Sequence, residues 1–121
     1  MAEPAFSVCV YCGSRPGDNP AYTKVAQAVG QWIGAHQGQL VYGGGRIGLM
    51  GTVAEATRLA GGRVVGVIPQ ALVDKELANR QCDELHIVQT MHERKAMMAE
   101  RSDTFLALPG GIGTFEELFE V

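Results

Sequence analysis

The sequence predicts an α/β fold in which a doubly wound parallel sheet carries helices on both faces. Short runs of β-branched and apolar residues alternate along the chain with segments of helical periodicity, a pattern typical of repeated βα units. Sixteen of the 121 residues are glycine, and they gather after the predicted strands, where turns and ligand loops form. We therefore expect a single Rossmann-like domain over residues 1–121, with right-handed crossovers between its strands.

The composition excludes several classes of function. An apolar share of 46% suits a globular domain, and the net charge of −3 disfavours a nucleic-acid polymer as partner, because such a partner requires a basic face. No segment approaches the roughly 18 apolar residues of a membrane span, and the N-terminus lacks the basic and apolar regions of a secretion signal. We expect a cytoplasmic protein that contacts neither a membrane nor a nucleic-acid polymer.

Two βα units make up the first half of the chain. The first strand is predicted at Phe6–Tyr11, and Asn19 then caps a helix that has Pro20 at its first position and ends before Gly38. The second strand is predicted at Leu40–Tyr42. The apolar positions that predict the buried face of the first helix are Tyr22, Val25, Ala26, Val29, Trp32 and Ile33.

A glycine-rich loop, Gly43–Gly51, leads from the second strand into the second helix, which is predicted to end at Gly61 and Gly62. The third strand is predicted at Val64–Ile68, and residues 69–80 form a connection that is irregular or partly helical. The predicted buried face of the second helix comprises Leu49, Met50, Val53, Ala54, Thr57 and Ala60.

The last part of the chain adds two more strands. The fourth is predicted at Leu85–Val88, and the capping box formed by Thr90 and Glu93 opens a helix that extends to about Arg101. The fifth strand is predicted at Thr104–Leu108. We expect the strand order 3-2-1-4-5, in which the order reverses between strands 1 and 4 and a ligand crevice lies outside their carboxyl ends.

The glycine turn after the fifth strand is the main candidate for a binding site. Glycines at positions 110, 111 and 113 allow a ligand to approach the backbone closely. The helix predicted to start at Thr114 points N–H groups and a partial positive charge outward, which indicates an anion site. Thr114 and Glu117 also form a capping box, so an ordinary strand-to-helix turn explains the same residues, and the local pattern leaves both interpretations open.

Arg94 and Lys95 occupy the fourth and fifth positions of the helix after the fourth strand, close to the positive end of its dipole. A cation there costs about 0.3–1 kcal/mol, so the pair indicates an anionic ligand. Phosphate held between Arg94 and the Gly111–Thr114 turn would fit, because the guanidinium fork suits phosphate. The alternative is that the two cations are solvated or paired. The acidic residues available for such pairing are Glu93, Glu76 and Asp74.

Other motifs are weaker. Gly43, Gly45 and Gly48 have the spacing of the dinucleotide fingerprint, but Ile68-Pro69 stands where the acidic residue of that fingerprint is expected. A nicotinamide dehydrogenase is therefore disfavoured, and the lack of a G-x-x-x-x-G-K-[ST] motif disfavours a P-loop nucleoside triphosphatase. The triple glycine at 43–45 is explained either by a tight turn against a helix or by contact with a ligand.

The cysteines and His92 do not form a catalytic or metal motif. Cys9 and Cys12 have redox spacing but lie within an apolar strand, where residues three apart face opposite sides, so we interpret them as buried small residues. Cys82 is isolated in the sequence, and no metal site is predicted. His92 has no matching nucleophile, so we interpret it as structural.

Together the motifs resemble a known family. Pro109–Glu117 matches the signature P-G-G-x-G-T-x-x-E of the Lonely Guy (LOG) cytokinin riboside 5′-monophosphate phosphoribohydrolases, which have long been misnamed lysine decarboxylases. The other segments that resemble the family, in its order, are Tyr11–Ser14, Tyr42–Gly45, Gly48–Gly51, Gly66–Pro69 and Met91–Lys95. The resemblance spans nearly all of the chain.

This resemblance implies a homodimeric enzyme that hydrolyses the N-glycosidic bond of an adenine-type nucleoside 5′-monophosphate without a metal or organic cofactor. It implies that Arg94 and Glu117 are the catalytic pair. The substrate-binding residues that it implies are Glu76, Arg94, Lys95, Gly111, Ile112, Gly113, Thr114, Phe115, Glu116 and Glu117, with Ser14, Gly45 and Met50 as candidate further contacts. The alternative is a carrier that binds a nucleotide or phosphorylated cofactor without cleaving it.

The older name, lysine decarboxylase, implies an activity that would require a suitable lysine in the chain. A pyridoxal-dependent decarboxylase needs a lysine for its Schiff base. The sequence contains only Lys24, Lys75 and Lys95, none in a setting that suits this role, so decarboxylation is disfavoured. Family members continue beyond the position of Val121, and we therefore expect the nucleotide-binding domain 1–121 to be incomplete at its C-terminal end.

Overall fold

A computed structural model describes residues 3–12 and 20–108 of the chain, where strands and helices alternate as predicted. The strands are β1 (Ser7–Tyr11), β2 (Gln39–Tyr42), β3 (Arg63–Pro69), β4 (Glu84–Val88) and β5 (Thr104–Ala107). The helices are α1 (Pro20–Ala35), α2 (Gly48–Leu59), α3 (Gln70–Asp74) and α4 (Met91–Glu100). The predicted cap at Asn19 and the predicted final helix lie outside the described residues.

The strands form one parallel sheet in the order β4-β3-β2-β1-β5, which confirms the α/β class. The predicted order 3-2-1-4-5 is wrong at β4, which extends the edge at β3 instead of lying beside β1. Polar contacts hold β4 there, because the Asp83 carboxylate accepts from the Val64 amide at 2.7 Å and Glu84 pairs with Arg63 at 3.5 Å. The partly exposed polar side chains of Glu84 and His86 also suit a sheet edge better than a sheet centre.

The strand order therefore reverses between β1 and β5. β1 pairs with β2 on one side and with β5 on the other, and Tyr11 is aligned with Ala107. The Leu108 amide continues this pairing by donating to the Tyr11 carbonyl at 2.8 Å. The carboxyl ends of β1 and β5 thus lie side by side, at the point where a ligand crevice is expected in a doubly wound sheet.

Alternate strand positions supply a separate hydrophobic core on each face of the sheet. Leu40 faces α1 and α2 and packs in one core with Ile33, whereas the adjacent Val41 packs in the other core with Met98 of α4. No helix within the described ranges combines the length and apolarity of a membrane span.

Cys9 and Cys12 are both buried, and they lie on opposite faces of the sheet. Cys9 belongs to the core beneath α4, and Cys12 belongs to the core beneath α1 and α2. This confirms their interpretation as buried small residues, because a redox pair requires two thiols that meet.

α1 and α2 pack closely because α1 presents glycines at the contact. A Cβ on Gly30 would lie only 2.6 Å from the Cβ of Ala56, and Gly34 is similarly restricted one turn later. Because this glycine face turns toward α2, Val25 is 41% exposed and Trp32 is 54% exposed. The predicted buried face of the first helix is wrong at these two positions, since close helix contact selected small residues over large apolar ones.

The ends of α4 and α2 follow the predicted capping chemistry. The Thr90 hydroxyl accepts a hydrogen bond from the Glu93 amide at 3.0 Å, which satisfies a donor in the first turn of α4. At the end of α2, Gly61 adopts a φ of 95° and the Gly62 amide donates to the Thr57 carbonyl at 2.9 Å. This is a Schellman motif, and its left-handed position explains the glycine.

Candidate active site

The carboxyl edge of the sheet gathers the predicted site residues that lie within the described ranges. The loop after β2, the segment after α3 and the first turns of α4 meet there through hydrogen bonds. β1 and β5 end at the same edge, and the chain continues from them into residues 13–19 and 109–121. Ser14 and the predicted site residues from Gly111 to Glu117 lie outside the described ranges, so their roles stay predictions.

Arg94 is only 5% exposed, although it lies near the N-terminus of α4. Its Nε donates to the Val67 carbonyl at 2.9 Å, its Nη2 donates to the Gly43 carbonyl, and its Nη1 lies 3.7 Å from the Met91 sulfur. These carbonyls offset part of the cost of removing the guanidinium from water. The burial excludes the interpretation of Arg94 as a solvated cation.

The triple glycine after β2 forms the surface against which Arg94 lies. A Cβ on Gly43 would overlap the Arg94 guanidinium and would lie 2.8 Å from the Met50 methyl group. Gly44 has a φ of 78°, in the left-handed region that favours glycine. A Cβ on Gly45 would lie 3.0 Å from the Met50 sulfur. The tight-turn interpretation is therefore confirmed, and the candidate contacts Gly45 and Met50 lie with Arg94 around this turn.

Glu76 flanks the same loop through its backbone. Its carbonyl accepts from Arg46 Nε at 2.7 Å, and its φ of 60° is uncommon for a residue with a side chain. The Glu76 side chain is exposed, and Lys95 lies partly buried next to Arg94 on α4. The structure thus connects Glu76 to the glycine loop, while Lys95 accompanies Arg94 at the start of α4.

Sequence reasoning missed Tyr42, Asn79 and Arg46 at this edge. The Tyr42 hydroxyl donates to the Gly45 carbonyl at 2.8 Å and accepts from Asn79 Nδ2 at 2.9 Å. A signal for Tyr42 existed, because a tyrosine at the end of a buried strand needs a partner for its hydroxyl. Asn79 and Arg46 carried no comparable signal, since their partners come from loops that meet only in the folded chain.

Burial determines the electrostatics on the Tyr42 side of the loop. It raises the pKa of the Tyr42 hydroxyl far above its ordinary value, so this group remains a neutral donor at physiological pH. Burial likewise raises the pKa of Cys82, whose sulfur lies 3.7 Å from the Tyr42 hydroxyl. The turn therefore lies between these neutral groups on one side and the cationic Arg94 on the other.

An open cleft of about 710 Å³ borders the segment that carries Glu76. Its polar and charged lining consists of Arg46, Glu55, Glu76, Asn79, Arg80 and Gln81. Within residues 3–12 and 20–108, no group of three or more His, Cys, Asp and Glu side chains is arranged to hold a metal ion.

Fold and site together define the class of protein. It is a Rossmann-like α/β protein whose carboxyl edge combines a glycine turn with a buried arginine. The chain belongs to the family described as "Possible lysine decarboxylase", whose model matches residues 50–121. Together with the relatives that follow, this match confirms the resemblance to the Lonely Guy family.

Curated relatives are similar over almost the whole chain. The probable cytokinin riboside 5′-monophosphate phosphoribohydrolase LOGL9 of Oryza sativa subsp. japonica is 54% identical over 114 residues, which are 94% of this chain and 50% of that protein. The cytokinin riboside 5′-monophosphate phosphoribohydrolase of Rhodococcoides fascians is 52% identical, over 95% of this chain and 59% of that protein. The chain thus spans half the length of the first of these relatives and 59% of the second.

Solved structures share the fold at much lower identity. The molybdenum cofactor binding protein from Rippkaea orientalis has a TM-score of 0.81 and 22% identity, over 98% of this chain and 70% of that chain. The molybdenum cofactor carrier protein from Chlamydomonas reinhardtii has a TM-score of 0.80 and 21% identity, over 98% and 69% respectively. Likeness at this level of identity concerns the fold alone.

Proposed function

We propose that the protein hydrolyses the N-glycosidic bond of adenine-type nucleoside 5′-monophosphates and releases the free base and ribose 5-phosphate. The observation that carries this proposal is the burial of Arg94 at the carboxyl edge, where the carbonyls of Gly43 and Val67 hold its guanidinium. The names of the relatives at 52% and 54% identity support the same reaction.

The proposed chemistry divides between a carboxylate and the fixed guanidinium. The bond between C1′ and the base nitrogen breaks, the base leaves with the electron pair and takes up a proton, and water adds to C1′. Glu117 stabilises the oxocarbenium-like sugar and orients or deprotonates the water. Arg94 anchors the substrate and supports the negative charge that moves toward the base or phosphate. A guanidinium already fixed by carbonyls needs little rearrangement during the reaction.

The remaining proposed contacts hold the nucleotide. Gly111, Gly113 and Thr114 bind the phosphate at a glycine turn, because backbone N–H groups at a helix start favour anions. Glu76 and Lys95 complete the nucleotide site. The further proposed contacts are Ile112, Phe115, Glu116, Ser14, Gly45 and Met50.

Replacement of Glu117 tests the assigned chemistry. Glu117→Gln removes the charge at nearly constant size, so base release from AMP and from isopentenyladenosine monophosphate should fall about a thousandfold, or roughly 4 kcal/mol. Chromatographic measurement of the base provides the rate, and Glu100→Gln, on the exposed end of α4, serves as the control. An unchanged rate in Glu117→Gln would refute the assignment, and a thousandfold loss in Glu116→Gln alone would assign the role to the neighbouring carboxylate.

Nucleotide carriage without cleavage is the competing function. Calorimetric titration with AMP and product chromatography of the same samples distinguish the two. Binding accompanied by base release supports hydrolysis, whereas saturable binding with intact AMP after prolonged incubation supports a carrier.

Lysine decarboxylation does not match the residues, despite the description of the family. Lys24 and Lys75 are exposed, at α1 and at the end of α3, and Lys95 lies beside the buried Arg94. A Schiff-base lysine is expected in a site that encloses its cofactor. We expect no carbon dioxide release from lysine in the presence of pyridoxal phosphate, and such release would contradict this view.

The family resemblance also supports a cytoplasmic homodimer. Light scattering coupled to size-exclusion chromatography should give a mass twice that of one chain. A monomeric mass at the concentration of the activity assay would contradict the dimer without affecting the proposed reaction.

A further inference from the structure

Every carbonyl of the triple glycine Gly43–Gly45 accepts a hydrogen bond from a different donor group. The first accepts from Nη2 of Arg94, the second from the backbone amide of Asn79 at 2.8 Å, and the third from the hydroxyl of Tyr42 at 2.8 Å. A shift of the turn would break at least one of these bonds, and a buried carbonyl without a partner is costly. The turn is therefore fixed from both sides.

The Tyr42 hydroxyl is the centre of the contacts on the side opposite Arg94. Tyr42 is the last residue of β2 and is completely buried, so its ring cannot move without disturbing the core. Its hydroxyl donates to the Gly45 carbonyl and accepts from Asn79 Nδ2 at 2.9 Å. Since burial keeps this hydroxyl protonated, the bond to the turn persists over the physiological pH range.

Asn79 connects the turn to the segment that follows α3. Its backbone amide donates to the Gly44 carbonyl in the turn, and its side-chain Nδ2 donates to the Tyr42 hydroxyl. Its Oδ1 accepts from the backbone amide of Gln81 at 3.0 Å. An isolated antiparallel bridge between Gly45 and Ala78 reinforces the connection. One polar side chain thus ties the end of β2 to the segment that carries Glu76.

These contacts determine where Arg94 can lie. Gly43 lies so close to the guanidinium that a Cβ there would overlap it. A shift of the turn would therefore displace the Arg94 side chain as well. A misplacement of about 1 Å in a catalytic group can cost about a hundredfold in rate. We infer that Tyr42 and Asn79 are positioning residues that set the Arg94 guanidinium for N-glycosidic hydrolysis. This inference rests on the proposed function and assigns no direct substrate contact to either residue.

Removal of the Tyr42 hydroxyl tests the inference. Tyr42→Phe should lower kcat for base release from AMP by about tenfold to a hundredfold, with a smaller change in KM. In an Arg94→Lys background, the same substitution should lower kcat by less than about threefold, because residues that act as a unit have non-additive effects. Asn79→Ala keeps the backbone bond to the turn and removes only the side-chain bonds to the Tyr42 hydroxyl and the Gln81 amide, so it should lower kcat by a smaller factor than Tyr42→Phe and replaces that variant if it does not fold.

Thr57→Val is the matched control, because it deletes another buried hydroxyl, one that donates to the Val53 carbonyl at 2.8 Å within α2. Its kcat should equal that of the wild type even if its melting temperature falls. A Tyr42→Phe protein with a lower melting temperature but an unchanged kcat would overturn the inference. So would a loss of kcat on Tyr42→Phe substitution that is the same in the wild type and in Arg94→Lys.

A readout that does not depend on activity separates this inference from the proposed function. The Nε–H signal of Arg94 in ¹⁵N NMR spectra, assigned by its loss in Arg94→Lys, should shift or broaden in Tyr42→Phe and stay unchanged in Thr57→Val. If the wild type releases no base but the signal shifts, the proposed function fails and the positioning of Arg94 stands. If the wild type is active and the signal does not change in Tyr42→Phe, the inference fails.

Discussion

Arg94 occupies a position that disfavours a cation for two reasons, because it is buried and because it lies near the positive end of the α4 dipole. One carbonyl just after β2 and one within β3 compensate, since Gly43 and Val67 each accept from the guanidinium. A lysine would present a point charge instead of a planar fork and could not reproduce both contacts in the same way. The position of Arg94 thus depends on Gly43, because any residue with a Cβ at position 43 would overlap the guanidinium.

Gly43→Ala tests that dependence. The added methyl group would overlap the guanidinium and crowd Met50, so we expect the free energy of unfolding to fall by about 1–3 kcal/mol. Displacement of Arg94 should also lower the rate of base release by about a hundredfold. Urea unfolding gives the stability and product chromatography gives the rate.

Gly61→Ala is the control for this substitution. Gly61 has a φ of 95°, and an added methyl group there would meet no atom within 4 Å, so alanine should cost about 1–2 kcal/mol through backbone strain alone. This variant should retain the wild-type rate of base release. A fully active Gly43→Ala protein would contradict the account of the turn, as would equal losses of activity in the two variants.

At the scale of single residues, the motif positions single out Arg94, Gly45 and Met50, and the structure places them around one turn. Their roles in binding and catalysis stay predictions. Asn79 escaped prediction because its hydrogen bond to Tyr42 joins segments that are 37 residues apart in the chain. Such contacts leave no local pattern.

Among the elements, α4 matters most because it carries Arg94, and its start depends on Thr90. Thr90→Ala removes the acceptor for the Glu93 amide and should lower the free energy of unfolding by about 1 kcal/mol. Thr90→Ser keeps a hydroxyl acceptor and should lose much less. Urea unfolding of the two variants provides the comparison, and equal stabilities would show that the cap contributes nothing.

The contact between the end of α4 and the start of β4 predicts a dependence of stability on pH. A hydrogen bond from Arg101 lowers the pKa of Glu84, and the nearby charges of Arg101 and Arg63 add to this effect. Because the folded pKa lies below the unfolded value of about 4.3, the stabilisation is present above that value and is lost as the pH falls through the folded pKa.

Glu84→Gln removes this contribution. At pH 7 the free energy of unfolding should fall by less than about 1 kcal/mol, because the pair is partly exposed to solvent. At pH 3 the difference between variant and wild type should be smaller. Urea unfolding at the two pH values measures it, and a difference of the same size at both would exclude ionisation of Glu84 as its origin.

The elements themselves were largely predictable because each has a local signal. Pro20, Thr90 and the pair Gly61-Gly62 mark helix ends where the structure has them. The buried face of α1 was less predictable, because Gly30 and Gly34 make the close contact with α2 and leave a tryptophan outside. Periodicity of apolar residues does not report a contact made by glycine.

At the scale of the whole molecule, the parallel sheet was predictable and its strand order was not. The alternation of strands and helices specifies parallel pairing, but the choice of neighbours depends on contacts between distant segments. For β4 these contacts involve Asp83 and Glu84 at the β3 edge. The observed order places β5 directly beside β1, so the stretches that follow these two strands start at the same edge.

The proposed reaction depends on this meeting of distant segments. The turn after β2 and the start of α4 come together around Arg94, and β5 ends at the same edge immediately before the predicted phosphate turn. We expect Glu117 to complete the site from that stretch. Hydrolysis therefore requires the whole sheet edge, whereas anion binding alone would need only one glycine turn at a helix start.

Identification of the products of nucleoside monophosphate cleavage tests this account most directly. The protein is incubated with AMP and with isopentenyladenosine monophosphate in phosphate-free buffer, and base, ribose 5-phosphate, nucleoside and inorganic phosphate are each quantified. We expect equal amounts of base and ribose 5-phosphate from at least one of these substrates. Release of nucleoside and inorganic phosphate, or binding of both nucleotides without any cleavage, would contradict it.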